Sequence, residues 1–122
     1  MHVTLSTAFL SAGVAAVVSA SCAATIHPAA PVVTPSGVRF VLLQPAARSV
    51  ALAGTFNQWS ASSHPLAREG SHGLWTVVVP LPPGEHLFMY VLDGTQWISP
   101  PLAEDYVDDG FGAKNGVVLV RP

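Results

Sequence analysis

Downstream of residue 36 the chain is built from short runs in which apolar side chains recur at every second position, separated by Gly, Pro and Asp-rich breaks. That period belongs to half-buried strands, and no stretch here carries the 3.6-residue period of a helix. Gly37 to Gln44 reads as a first strand, with Val38, Phe40 and Leu42 on one face and Pro45 as its stop. Ser49 to Ala53 is the second, with Val50 and Leu52 turned inward. Leu74 to Val79 is another, followed by a proline-rich turn from Pro80 to Gly84. In the strand Glu85 to Leu92, Phe88 and Tyr90 share one face while Leu87, Met89 and Val91 share the other. Asp93-Gly94 is a hairpin signal because both residues tolerate positive φ. Gln96 to Ile98 pairs back, Pro100-Pro101 ends it, and Gly116 to Val120 closes the domain. The pattern predicts an all-β, antiparallel sandwich of about seven strands.

The hydrophobic pattern changes upstream. Leu5 to Ala20 is a charge-free run of apolar and small residues, followed by Ser21-Cys22-Ala23-Ala24. This is the form of an export-signal core and cleavage region, although Met1-His2-Val3-Thr4 lacks the usual Lys or Arg. Residues 1–24 are therefore read as an export signal or, if the reading frame begins upstream, the end of a membrane anchor. Cys22 stands where a lipoprotein signal keeps its acylated residue, so it is the candidate lipidation site. Thr25 to Ser36 contains three prolines without periodicity and reads as a Pro/Ala-rich linker. The folded domain is assigned to residues 37–122. The expected localisation is exported: periplasm, envelope or extracellular, with membrane contact only through the N-terminal segment.

Composition narrows the chemistry. Half of the 122 residues are hydrophobic and a tenth are charged, with a net charge of −2. Such a chain can fill a core, and without a basic run it does not track a nucleic-acid backbone. The acids Asp93, Glu104, Asp105, Asp108 and Asp109 cluster late in the chain, a stretch read as a solvated acidic loop. The one cysteine excludes an internal disulfide. His64, His72 and His86 lack metal-ligand spacing, and Ser62-Ser63-His64 is not a nucleophile elbow. The reading is no enzyme, no cofactor and no metal. Trp59 and Trp97 remain, each at or just beyond a turn, where a large ring is hard to bury. A flat apolar face with one N–H donor suits a sugar ring; the plainer alternative is that each ring covers one end of the sandwich. Trp75, mid-strand, and Phe56 are expected in the core, and Asn57 and Asp93 are expected to brace their own turns.

From Val50 to Val120 the chain resembles the glycogen-binding module of the AMP-activated kinase β-subunit, carbohydrate-binding family 48, which also precedes the catalytic domain of isoamylases and branching enzymes. The resemblance runs through Val50-Ala51-Leu52-Ala53-Gly54-Thr55-Phe56-Asn57-Gln58-Trp59, Pro65-Leu66, Leu74-Trp75 and Leu81-Pro82-Pro83-Gly84-Glu85-His86. It continues in Leu92-Asp93-Gly94-Thr95-Gln96-Trp97 and Asn115-Gly116-Val117-Val118. It implies an immunoglobulin-like early-set sandwich that binds α-glucan, with Trp59 and Trp97 stacking on glucose units and Asn115 contacting hydroxyls. It also implies departures. Met89 stands at the family's sugar-contacting lysine, Phe111 at its inserted leucine, Ala113 at a threonine, and Ser99 at an acid before the proline. The function so implied is a non-catalytic carbohydrate-binding module for α-1,4-glucan, weakened by the lost polar contacts. The alternative is a structural or protein-interaction sandwich, partnered by another envelope protein, that has lost sugar binding.

The hairpin register separates the two Trp97 positions. A two-residue Asp93-Gly94 loop pairs Trp97 with Tyr90 and turns it away from Met89; inclusion of Thr95 pairs it with Val91 on the Met89 face. The second register is expected.

Overall fold

A computed structural model of the protein describes residues 26–122 and the isolated Gly13; the rest of the expected signal or anchor, Cys22 included, lies outside the described residues. Nine strands form among them: β1 Val32–Thr34, β2 Gly37–Leu43, β3 Val50–Gly54, β4 Ala67–Glu69, β5 Leu74–Val79, β6 Gly84–Leu92, β7 Gln96–Ile98, β8 Asp105–Asp108 and β9 Lys114–Val120. They build two antiparallel sheets, one ordered β1-β2-β5-β4 and the other β3-β6-β9-β8 with β7 paired to β6. The fold is an immunoglobulin-like β-sandwich.

The inward residues are those the alternation marks. Val38, Phe40 and Leu42 from β2 meet Phe88 and Tyr90 from β6 and Val118 from β9, all essentially excluded from solvent. Phe40 and Phe88 stack edge to face at 5.0 Å. Burying an aromatic or branched side chain of this kind contributes roughly 1.5–3 kcal/mol each. Burial also pushes the Tyr90 hydroxyl well above its ordinary pKa. Trp75 is in the core as expected, with its indole N–H donating to the Gln44 carbonyl at 3.0 Å and the Arg68 guanidinium 4.7 Å from the ring centre. Phe56 is only half-buried, packed against the same core.

Three strands escape the alternation, and all three lie at sheet edges. β4 and β8 are exposed along their whole length and carry Arg68, Glu69, Asp105 and Asp108. Charge on an edge strand discourages pairing with another chain, and it also erases the apolar signature. The acidic stretch read as a loop therefore holds a strand. β1 falls within the stretch expected as linker: Val32 pairs with Arg39 and Thr34 with Gly37, and the Thr34 hydroxyl donates to the Gly37 carbonyl at 2.6 Å.

β6 organises the second sheet. Its first half pairs with β9 on one edge, its second half pairs with β3 on the other, and β7 continues the β9 edge. The outward residues of this sheet are consequently gathered around Met89.

Candidate functional site

The outer face of the second sheet is shaped by small residues. β3 alternates Val50 and Leu52 inward with Ala51 and Ala53 outward. The two alanines and Val91 form a shallow apolar bed, and the Trp59 ring packs on it. Larger side chains at 51 and 53 would lift the ring away.

The turn that delivers Trp59 is strained and strongly braced. Gly54 ends β3 in extended backbone, where a Cβ would collide with the Leu87 carbonyl and the Phe56 ring, so only glycine fits. A single 3-10 turn over Thr55–Asn57 follows, and then Gln58 and Trp59 both adopt the left-handed region, at φ 53° and 57°. Two such non-glycine residues cost about 1–2 kcal/mol each and persist only where their surroundings fix them. Asn57 supplies that fixation. Its Oδ1 accepts from the Gly54 N–H at 3.0 Å and the Ser60 N–H at 3.2 Å. Its Nδ2 donates to the Leu52 carbonyl at 2.9 Å and meets His64 Nδ1 at 2.8 Å. The Trp59 N–H itself donates to the Gly54 carbonyl at 2.9 Å. Asn57 thus serves its turn as expected, with one contact beyond it.

Trp97 arrives differently. β7 pairs Gln96 with Leu92, Trp97 with Val91 and Ile98 with Tyr90. Thr95 therefore joins the loop, and Trp97 lies on the Met89 face, in the expected register. Asp93 and Gly94 sit at positive φ, and the Thr95 N–H closes the turn on the Leu92 carbonyl at 3.1 Å. Asp93 does not brace its own turn. Its Oδ1 accepts from the Arg48 N–H at 2.7 Å and the Ser49 N–H at 3.1 Å, and its own N–H donates to the Ser49 carbonyl. These bonds pin the hairpin to the β2–β3 loop, and the two backbone N–H groups hold the Asp93 carboxyl below its ordinary pKa.

A third element closes the site. Between β8 and β9, Asp109 Oδ1 accepts from the Phe111 N–H at 2.7 Å and the Ala113 N–H at 3.1 Å, and the Asp109 N–H donates to the Ala113 carbonyl. Gly110 and Gly112 take the positive φ values that this tight loop needs. Phe111 at its tip is 94% exposed. Ser99, where the resemblance expects an acid, instead accepts from the Lys114 N–H and so fixes the start of β9.

These three elements bring Trp59, Met89, Trp97, Asp109, Phe111 and Asn115 around one open, mainly apolar groove of about 360 Å³. That is within the size range of small-ligand sites. Met89 is buried beneath it and Trp97 is 43% exposed. Asn115 is buried, and its Oδ1 has no hydrogen-bond partner among the described residues. Buried polar atoms are nearly always paired, so this oxygen is an exception in the fold; the Asn115 side chain lines the groove while its Oδ1 atom is shut off from solvent. All five residues proposed from sequence meet here. Asp109 was missed because its role depends on a loop closure that strand periodicity does not encode; the Asp-Gly-Phe-Gly run was its only signal. A separate cleft beside Phe56, lined by His64, Glu85 and His86, shares no residue with the groove. Among the described residues, no group of three or more His, Cys, Asp or Glu is placed to hold a metal ion.

The sequence profile of carbohydrate-binding module 48 (isoamylase N-terminal domain) matches residues 26–107, about two thirds of the chain. The chain is 43% identical over 54 residues to the 1,4-alpha-glucan branching enzyme of Bacillus caldolyticus, covering 44% of this chain and 8% of that enzyme. It is 36% identical over 74 residues to the 5'-AMP-activated protein kinase subunit beta-1 of Sus scrofa, covering 61% of this chain and 56% of that protein. With the Bos taurus subunit the identity is 38% over 74 residues, covering 61% of this chain and 25% of that protein. The chain thus spans less than a tenth of the bacterial enzyme and about half or less of the kinase subunits.

Proposed function

From the premise that this chain belongs to the carbohydrate-binding module 48 family and is a non-catalytic carbohydrate-binding module, we propose that its ligand is an α-1,4-glucan of the glycogen or starch type. Trp59 and Trp97 stack on pyranose rings, Met89 lies beneath them, Phe111 packs on the rim of the glucan, and Asn115 takes a sugar hydroxyl. The observation that carries this reading is one groove lined by Trp59, Trp97, Met89, Phe111 and Asn115. A glucose unit presents an apolar C–H face and a fringe of hydroxyls, and the groove answers both. The name of the 1,4-alpha-glucan branching enzyme relative supports an α-glucan context.

The family lysine is absent, and a hydrogen bond to a charged group contributes about 1.5–3 kcal/mol. Binding therefore rests on aromatic stacking and gains from repeated engagement along a polymer. Retention of the chain on immobilised glycogen or amylose tests this, with Trp59→Ala/Trp97→Ala as the control. Wild-type retention that the double variant loses supports the reading. Passage of both through the column would instead favour the sandwich as a protein-interaction module, with an envelope protein as its partner.

The apolar run Leu5–Ala20 and the small residues around Cys22 support delivery to the cell envelope or beyond it, with Cys22 as the candidate lipid attachment point. The mass of the mature N-terminus tests both: cleavage near Ala20 or Ala24 gives an unmodified polypeptide, and acylation adds the mass of the lipid.

A further inference from the structure

One contact at the Trp59 turn depends on the state of a proton. The Asn57 amide has a single orientation, because the Gly54 and Ser60 N–H groups can only donate to it and the Leu52 carbonyl can only accept from it. The atom 2.8 Å from His64 Nδ1 is therefore the Asn57 Nδ2, a donor, and Nδ1 must accept. The neutral His64 ring consequently carries its proton on Nε2. Its backbone is tied to β3, the strand that supplies the alanine bed: the His64 carbonyl accepts from the Leu52 N–H at 2.9 Å, and Pro65 bridges to Ala51. The half-buried ring packs edge to face on Phe56 at 5.7 Å and lines the open cleft beside it, where solvent reaches it. Glu85 and His86 of β6 are the titratable groups that share this cleft, and His86 Nε2 donates to the Pro82 carbonyl at 2.8 Å. On its own loop, Ser60 to Ser63 carry no charge.

We infer that His64 is a positioning residue for Trp59: while neutral it holds the ring in place through Asn57, and when protonated it releases it. A charged imidazole has two N–H donors and no acceptor, so it meets the Asn57 Nδ2 donor to donor. With its backbone held on β3, the ring must turn away about its own side-chain bonds. Asn57, which is buried, then keeps an N–H without a partner, the costly way to lose a hydrogen bond. Gln58 and Trp59 hold their left-handed backbone only while the surroundings fix it. The Trp59 half of the platform is therefore set at neutral pH and loosened as pH falls through the range in which histidine gains its charge, about 8 to 5. Glu85 and His86 influence where in that range the change falls; the Asn57 contact decides what the change does. The Trp97 hairpin stays as it is over the same range, because the Asp93 carboxyl that pins it is held below its ordinary pKa by the Arg48 and Ser49 N–H groups. The effect on sugar affinity rests on the glucan reading above; the effect on the turn does not.

The test follows the wild-type chain, His64→Asn and His64→Leu from about pH 7.5 to about pH 5. His64→Asn offers a side-chain oxygen in place of Nδ1 and cannot gain a proton; His64→Leu keeps bulk and removes the acceptor. Thermal melts report that each variant is folded. Three quantities are read: the His64 tautomer from proton–nitrogen correlation spectra, the Trp59 indole N–H signal (identified by its loss in Trp59→Phe), and maltoheptaose affinity by calorimetry. At the upper pH the wild-type ring is expected as the Nε2–H tautomer. On acidification the Trp59 signal should shift together with the His64 titration, and maltoheptaose should bind about tenfold more weakly. His64→Asn is expected to stay within about threefold of the wild type at the upper pH and to lose the pH dependence, whereas His64→Leu binds weakly throughout. An Nδ1–H tautomer overturns the inference, as does a Trp59 signal that ignores His64 or a wild-type pH profile that His64→Asn reproduces in full. A wild type that binds no maltoheptaose at the upper pH, while its Trp59 signal follows His64, overturns the glucan reading and supports the positioning role.

Discussion

The two tryptophan-bearing turns reach the same groove by opposite means. The Trp59 turn is held from within by a buried amide, Asn57, which fixes two consecutive left-handed residues through four polar contacts. The Trp97 hairpin is held from outside by an exposed carboxylate, Asp93, bonded to a neighbouring loop. The first ring lies on an alanine bed and is part of the packing; the second stands 43% exposed on a three-residue strand. One half of the platform is thus built into the fold and the other attached to it, so the same kind of damage should have unequal effects.

The largest effect is expected from Asn57→Ala. It leaves the Gly54 N–H and the Leu52 carbonyl without partners and frees the strained Gln58-Trp59 backbone. A loss of about 3 kcal/mol in stability, or roughly 10–20 °C in Tm by circular dichroism, is the expected result. A change of only a few degrees would show that Asn57 does not brace the turn.

Next come the rings themselves. Trp59→Ala and Trp97→Ala are each expected to weaken maltoheptaose binding by roughly 1–3 kcal/mol, taking aromatic stacking on bases as the guide. Only Trp59→Ala should also lower Tm, because only that ring covers Ala51, Ala53 and Val91. Equal Tm changes in the two variants would erase the distinction between a built-in and an attached half.

Acid separates the turns more gently. The Asp93 carboxyl is held below its unfolded pKa by the Arg48 and Ser49 N–H groups. Its contribution is therefore present above the unfolded value, about 3.9, and is lost as pH falls through the lower folded value. A wild-type chain should lose Tm below about pH 4 more steeply than Asp93→Asn, which cannot titrate. Parallel pH–Tm curves would show that the pin contributes nothing.

The smallest effect is expected from deleting Thr95. A two-residue Asp93-Gly94 loop would then join Leu92 directly to Gln96, keeping the pairing of Val91 with Trp97 seen now. Glucan affinity should stay within about threefold of wild type, a shift of less than 1 kcal/mol. A larger loss would mean that Thr95 does more than fill the loop.

The sequence revealed the sandwich through its long strands, because β2, β5 and β6 alternate against a core that includes Phe40, Trp75, Phe88 and Tyr90. It hid β1, β4 and β8, whose few residues lie at edges where charge or exposure replaces alternation. The groove was legible as far as Trp59, Met89, Trp97, Phe111 and Asn115, which follow from motif order. Asp93 was expected to hold its own turn and instead holds a loop 44 and 45 residues away in sequence, a contact no local rule contains. Asp109 was counted only as one charge among several, because its place at the groove comes from closing a loop between two strands, one of them itself unseen.

In the proposed function, Trp59 and Trp97 act as one platform for a single glucan chain. Calorimetric titration of maltoheptaose into the wild type, the two single tryptophan variants and the double variant tests it most directly. One saturable site is expected on the wild type at millimolar concentration or below, with a loss of about tenfold in each single variant and no measurable binding in the double variant. Full wild-type affinity in either single variant, or no heat of binding in the wild type, would contradict it.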